Sequence, residues 1–275
     1  MDFITIMDIY YDSIDMRYPQ EGAVVAGVFT PADTTSFPGV VMDDSFKVTT
    51  NFTGSTPKGI RFIAQSKSGT RFGDIDEYFG NIDEYFSDLG DAGIGTAAYL
   101  IIHRLSGTPN VEVWSSNSSS TGYVKKFDST IEDNDWSINA ITSSSASYFV
   151  VQFTGSHNID VGEIILAQKI SDLHRYQLGF SEGLIPAVKL KGSYGGGEFS
   201  NALDNNMEHR SMSYEVNQTY ADKLTSLRSG IYNDAKHALF VDGSNRRFGK
   251  LTNDIIPIEK AYGYYEIKLD SRSYL

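Results

Sequence analysis

The sequence predicts a mainly β protein: a jelly-roll β-sandwich followed by a second strand-dominated domain, with short helices near 75–89 and 220–229. Three observations lead to that class. Aromatic residues make up 13% of the chain, with 17 Tyr and 16 Phe, and these side chains favour a pleated, half-buried surface. Twenty-five glycines and many Ser and Thr supply tight turns. Short apolar runs recur about every 10–15 residues between those turns, the spacing of sandwich strands. With 40% hydrophobic and 21% charged residues over 275 positions, the chain can bury a real core in one large or two ordinary domains.

In order along the chain, residues 1–45 hold two strand candidates, Ile4–Tyr11 and Ala23–Phe29, interrupted near Pro19, Pro31 and Pro38. They form either an N-terminal arm or the first strands of a domain. Strands over Phe46–Phe52 and Gly59–Gln65 follow, joined by a Gly- and Pro-containing turn. Then the period changes. Ile75, Tyr78, Phe79, Ile82, Tyr85, Phe86 and Leu89 recur at three and four, which predicts an amphipathic helix. Asp74 and Glu77 are placed as a capping box and Gly90 as a stop. Within it, Ile75–Phe79 reappears as Ile82–Phe86, a two-copy repeat too short for a solenoid.

From Ala97 the pattern is β again, with strands over Ala97–Ile102, Val111–Ser115, Tyr123–Asp128, Ser137–Ile141, Ser147–Phe153 and Glu163–Gln168. Beyond Ser171 come a glycine-rich loop at Gly192–Gly197, a strand over Ser211–Asn217, and a helix over Tyr220–Ser229 with Leu224 and Leu227 inward. Strands over Ala238–Val241, Arg247–Leu251 and Tyr264–Leu269 close the chain, the first two separated by Asp242-Gly243. The expected domains are therefore 1–45, 46–170 and 171–275.

Charge supports a division. The net charge is −12, and residues 1–170 carry all of it, with 10 basic against 22 acidic side chains; residues 171–275 hold 13 of each. Neither part is a basic nucleic-acid binder. The N-terminus lacks a charged-then-apolar leader, and no apolar run approaches the roughly 18–20 residues that span a bilayer, so a soluble product made in a cytoplasm is expected.

Chemistry-bearing patterns are sparse. The absence of cysteine removes disulfides, thiolate metal sites and Cys nucleophiles. The acidic run from Asp74 to Asp91 fails as an EF-hand loop, because counting from Asp74 places Phe79 where the turn glycine belongs. Gly192–Gly197 lacks the Gly-Lys-Ser/Thr ending of a phosphate loop. His103, His157, His174, His209 and His237 show no ligand spacing, and no serine sits in a nucleophile elbow. Asp133 and Asp135 are read as turn residues beside Trp136. No catalytic residue, cofactor or metal is expected. The ligand or interface candidates are the aromatics Trp114, Tyr123 and Trp136, whose faces suit either sugar rings or packing partners.

Residues 97–170 also carry an ordered set of segments. Ala97–Leu105 contains a strand and His103; Val111–Ser116 is a strand ending in serines; Ser147–Phe153 and Val161–Leu166 follow, the last opening on Val-Gly-Glu-Ile. This order resembles the discoidin-like (galactose-binding-like) jelly roll as it occurs in tail and other minor virion proteins of bacteriophages. The stretch from Ser211–Tyr214 through Ala238–Asp242 to Tyr264–Leu269 is similar to its usual companion. The likeness spans about two-thirds of the chain in residue class rather than invariant signatures, and residues 1–45 and 75–89 have no counterpart in it. It implies a structural component of a virion (tail, neck or baseplate), built into a ring or other symmetric assembly with copies of itself and other virion proteins. From the charge balance and the short apolar runs, neither nucleic-acid nor membrane contact is expected. A carbohydrate- or receptor-binding module is the alternative.

Overall fold

A computed structural model describes residues 6–12, 16–32, 50–54, 56–64, 94–132, 134–155, 157–174, 179–185, 188–192, 198–202, 207–227, 237–242, 245–251 and 256–274. The protein is mainly β. Its strands in chain order are β1 (Ile6–Asp12), β2 (Met16–Val25), β3 (Val28–Pro31), β4 (Thr50–Gly54) and β5 (Lys58–Ala64). Next are β6 (Gly95–Leu105), β7 (Asn110–Ser116), β8 (Val124–Thr130), β9 (Asn134–Ala146) and β10 (Tyr148–Thr154). Then come β11 (His157–Val161), β12 (Glu163–His174), β13 (Gly179–Ile185), β14 (Val188–Gly192) and β15 (Glu198–Ala202). β16 (Met207–Asn217) leads into helix α1 (Gln218–Leu227), followed by β17 (His237–Asp242), β18 (Asn245–Leu251), β19 (Ile258–Ala261) and β20 (Tyr264–Tyr274).

The chain divides into two compact units: Ser13–Gln168, and a second formed by Met1–Asp12 together with Lys169–Leu275. The first is an insertion in the second. The expected boundaries near 46 and 171 differ from this at the N-terminal side: β2 and β3 belong to the inserted unit, and β1 to the other. The reason is non-local pairing. β1 pairs antiparallel with β17, Ile9 opposite Phe240, and nothing in a short apolar strand names a partner more than 200 residues away.

The inserted unit is a β-sandwich. One layer is an antiparallel sheet in the order β3-β2-β5-β10-β7-β8; the other is the first half of β12, then β6 and β9. Alternation supplies the core between them. Ile60, Phe62 and Ala64 of β5, Val111 and Val113 of β7, and Phe149, Val151 and Phe153 of β10 face Leu100 and Ile102 of β6 and Ile164 and Leu166 of β12. The β4–β11 pair adds Phe52, Ile159 and Val161 to the same core, with the Phe52 and Phe153 rings 5.1 Å apart.

The run Ala23–Phe29, expected as one strand, is a hairpin. Ala26 and Gly27 have φ of 51° and 78°, the left-handed pair that a two-residue turn needs, and β2 returns as β3. Below it the sheet closes tightly at Gly22 and Gly59, which face each other across β2 and β5. A Cβ on Gly59 would lie 2.5 Å from the Val151 carbonyl, and one on Gly22 would lie 2.5 Å from the Phe29 ring.

In the second unit the sheet order is β13-β16-β20-β18-β17-β1, with β19 added beside β20 and β1 next to β12. Lys169 of β12 bonds Asp8 of β1 at 2.9 Å. α1 starts where Asn217 accepts the Tyr220 N–H, an N-cap bond at 3.1 Å. It seats Ala221 and Leu224 against Tyr214, Ile267 and Leu269. The helix expected at 220–229 is described over Gln218–Leu227, so it starts two residues earlier. β14 and β15 form a hairpin with Gly192 opposite Glu198, so a strand rather than a helix follows the glycine-rich segment. Residues 193–197, the acidic helix and repeat of 75–89, Asp133, Gly230 and Gly243 lie outside the described residues.

Candidate functional site

The residues with the richest chemistry lie on the outer face of the six-stranded sheet. On β7, Val111 and Val113 point inward, so Glu112 and Trp114 point out; on β10, Tyr148, Val150 and Gln152 do the same. Register places Gln152 opposite Glu112 and Val150 opposite Trp114. Arg61 of β5 stands opposite Val150 on the other side. A slip in register between Val113 and Trp114 brings both Lys125 and Asp128 of β8 onto this face.

These side chains are bonded to one another in a chain. Gln152, 1% exposed, accepts the Val24 N–H at 2.7 Å and donates to the Val24 carbonyl at 3.2 Å, so its amide acts as a piece of strand for the hairpin above it. It also donates to Glu112 at 2.7 Å. Glu112 accepts from the Trp114 indole at 2.9 Å and from Lys125 at 2.6 Å. Lys125 continues to Asp128 at 2.7 Å, and Asn110 donates to both Asp128 and Thr154, at 3.0 and 2.9 Å. The hydrogen bonds to Asp128 and Glu112 hold the Lys125 ammonium above its ordinary pKa, and those from Lys125 and Asn110 hold Asp128 below its own.

Aromatic packing completes the face. Val24, Phe29, Tyr123 and Val150 form a small apolar cluster on which Trp114 and Tyr148 rest. Arg61 reaches over the Phe29 ring at 4.6 Å and the Tyr148 ring at 5.4 Å, and donates to Gln20 and to the Ser119 carbonyl. The hairpin is tied to the β7–β8 loop by Phe29 N–H to Ser120 and Tyr123 N–H to Gly27, at 2.8 and 3.1 Å.

The three aromatics singled out from sequence fall in different surroundings. Trp114 is half-buried, with its ring between the apolar cluster and Lys125, whose ammonium lies 5.0 Å from the ring centre. Tyr123 is only 4% exposed; burial raises its hydroxyl pKa, and the hydroxyl donates to Ser119. Trp136 is on the other layer, in β9. It packs on His103 at 4.3 Å between ring centres and is buried. Trp114 and Tyr123 therefore share a face and Trp136 does not. Asp135 lies in β9 rather than in a turn, 3.7 Å from His103. Burial lowers the His103 pKa to about 4, with Asp135 opposing that effect and Arg104 adding to it.

Sequence reasoning missed Arg61, Glu112, Lys125, Tyr148 and Gln152, although alternation on β5, β7 and β10 was there to be read. Among the described residues no group of three or more His, Cys, Asp or Glu is placed to hold a metal ion, and no helix is long and apolar enough to cross a membrane. The chain matches no family model, and no curated protein or solved structure matches it significantly.

Proposed function

We propose that the protein is a structural component of a bacteriophage virion, in the tail, neck or baseplate, and acts through protein–protein interfaces in an oligomeric assembly. One observation supports this reading most. The polar side chains that a ligand would need are committed to each other: Gln152, Glu112, Lys125, Asp128 and Asn110 form one hydrogen-bonded chain that clamps a hairpin and stiffens a sheet. Such a network sets a shape, as a subunit surface requires. The discoidin-like order of segments in 97–170 points the same way.

The rival, a carbohydrate-binding module, would place a sugar ring on Trp114. That would require Lys125 to leave the indole and give up both carboxylates, so the geometry favours the structural reading. The test is quantitative mass spectrometry of gradient-purified phage particles. The reading expects this chain at several copies per particle. Its presence only in the soluble fraction of infected cells would overturn it.

A further inference from the structure

We infer that a row of basic residues across the sheet of the second unit is a binding site for an oligophosphate anion, a role independent of the structural reading above. Antiparallel register sets the row. His237 of β17 is opposite Lys250 of β18, Lys250 is opposite Arg272 of β20, and Arg272 is opposite His209 of β16. Directly opposed residues share a face, so four neighbouring strands place a basic residue at one level of one face. With strands about 4.8 Å apart, the row runs roughly 14 Å. Beyond His209 the next partner is Gly183 of β13, which adds no side chain to it.

The face is the one turned away from helix α1. Ile267 and Leu269 pack under the helix, and Arg272 has the opposite parity on the same strand. On one side of the row Leu239 and Phe248 oppose each other and are buried. On the other side the face meets solvent: Ser211 and Ser213 are partly exposed, and the Lys268 side chain is 58% exposed.

The acids of this face do not account for the row. Among the described residues Asp8 bonds Lys169 at 2.9 Å, Asp270 bonds Lys268 at 3.3 Å, and Glu266 bonds Lys260 at 2.6 Å. Glu215 lies six positions beyond His209 on β16, roughly 20 Å away, and Glu259 is opposite Tyr265, on the helix side. Asp12, next after Tyr11 on β1, borders only the His237 end. Lys250 and Arg272 thus place like charges directly opposite each other, an arrangement that costs stability until an anion joins them.

Spacing and chemistry select the anion. Carboxylates on one side of an extended acidic peptide repeat at roughly 6.8 Å, wider than the step between bases. Joined phosphate groups sit closer, and each brings up to two charges and several acceptor oxygens. A guanidinium offers phosphate a planar fork and an ammonium offers it a point charge, the pair of residue types found at the centre of the row.

The experiment is calorimetric titration of the full chain with inorganic tripolyphosphate at about 50 mM salt. Wild type is expected to bind with a Kd below about 1 mM, K250Q/R272Q at least roughly tenfold more weakly, and K126Q/K260Q, which removes the same charge elsewhere, within about twofold of wild type. Circular dichroism checks the variants. A second measurement needs no variant: tripolyphosphate should protect Lys250, but not Lys126, from acetylation read by mass spectrometry of the wild-type chain. No binding at about 10 mM, a K250Q/R272Q variant as tight as wild type, or equal labelling of Lys250 with and without the anion would overturn the inference. Tighter binding of a polyglutamate peptide than of tripolyphosphate would overturn the choice of phosphate.

Discussion

The two units treat the outward faces of their sheets in opposite ways. In the sandwich the outer face is closed from within: a hairpin folds over it, Gln152 bonds the hairpin backbone, and Val150 beneath has no exposed surface. In the second unit helix α1 covers one face, while Ile258 and Tyr264 are left open on the other. The closed face spends its polar groups on rigidity; the open face spends apolar surface on solvent. In a chain acting alone the second would be a liability. Under the proposed virion role such a face is where a neighbour would dock, and the difference separates a face closed by its own side chains from one left open.

The largest effect that would break this comparison is loss of the shared sandwich core. Phe153→Ala should cost about 3–5 kcal/mol by chemical denaturation, since the side chain is fully buried and packs on Phe52. Next, Gln152→Ala should cost about 2–3 kcal/mol, because the Val24 N–H and Glu112 both lose a buried partner. In amide hydrogen exchange the same variant should expose β2 and β3 before the rest of the sandwich. A loss confined to a few tenths would mean the hairpin is not clamped.

Acid should act more gently. Unfolded, His103 takes up a proton near pH 6.5, whereas in the fold it resists protonation until about pH 4. The unfolded chain therefore binds more protons throughout that window, so stability contributed by neutral His103 is intact above it and falls as pH drops through it. The expected loss is about 1–2 kcal/mol, and His103→Gln should flatten that part of the profile. The smallest effect is at Lys125→Met, below about 1 kcal/mol, since Lys125 is itself 35% exposed and solvent screens its two ion pairs. That variant sharpens the comparison in another way: it frees the indole face, and any gain of saccharide binding would show that the network, not the fold, withholds that activity.

How far the sequence could be read follows from how local each signal is. Aromatic content and short apolar runs recurring between turn residues made the mainly β class plain, and the apolar stripe marked the start of helix α1 to within two residues. The Ala26-Gly27 turn was not legible, because a two-residue turn flanked by valines on both sides reads as one apolar run. β11, β13, β14, β15 and β19 were missed for a related reason: each is short or interrupted by Gly, Ser or charged residues, so composition pointed to loop. The chain of side chains from Gln152 to Asn110 was invisible because its members come from three strands brought together only by pairing. Trp114 drew attention as a large aromatic, yet what decides its role is Lys125, eleven residues on, placed by a slip in register that sequence does not announce.

A reconstruction of purified particles at side-chain resolution would test the central claim most directly. The account predicts this chain in repeated, symmetry-related copies, with Ile258 and Tyr264 covered by a neighbouring subunit and the clamped outer face of the sandwich keeping its own hydrogen bonds. Particles with no density for the chain, or with the chain present and a saccharide seated on Trp114 in place of Lys125, would contradict it.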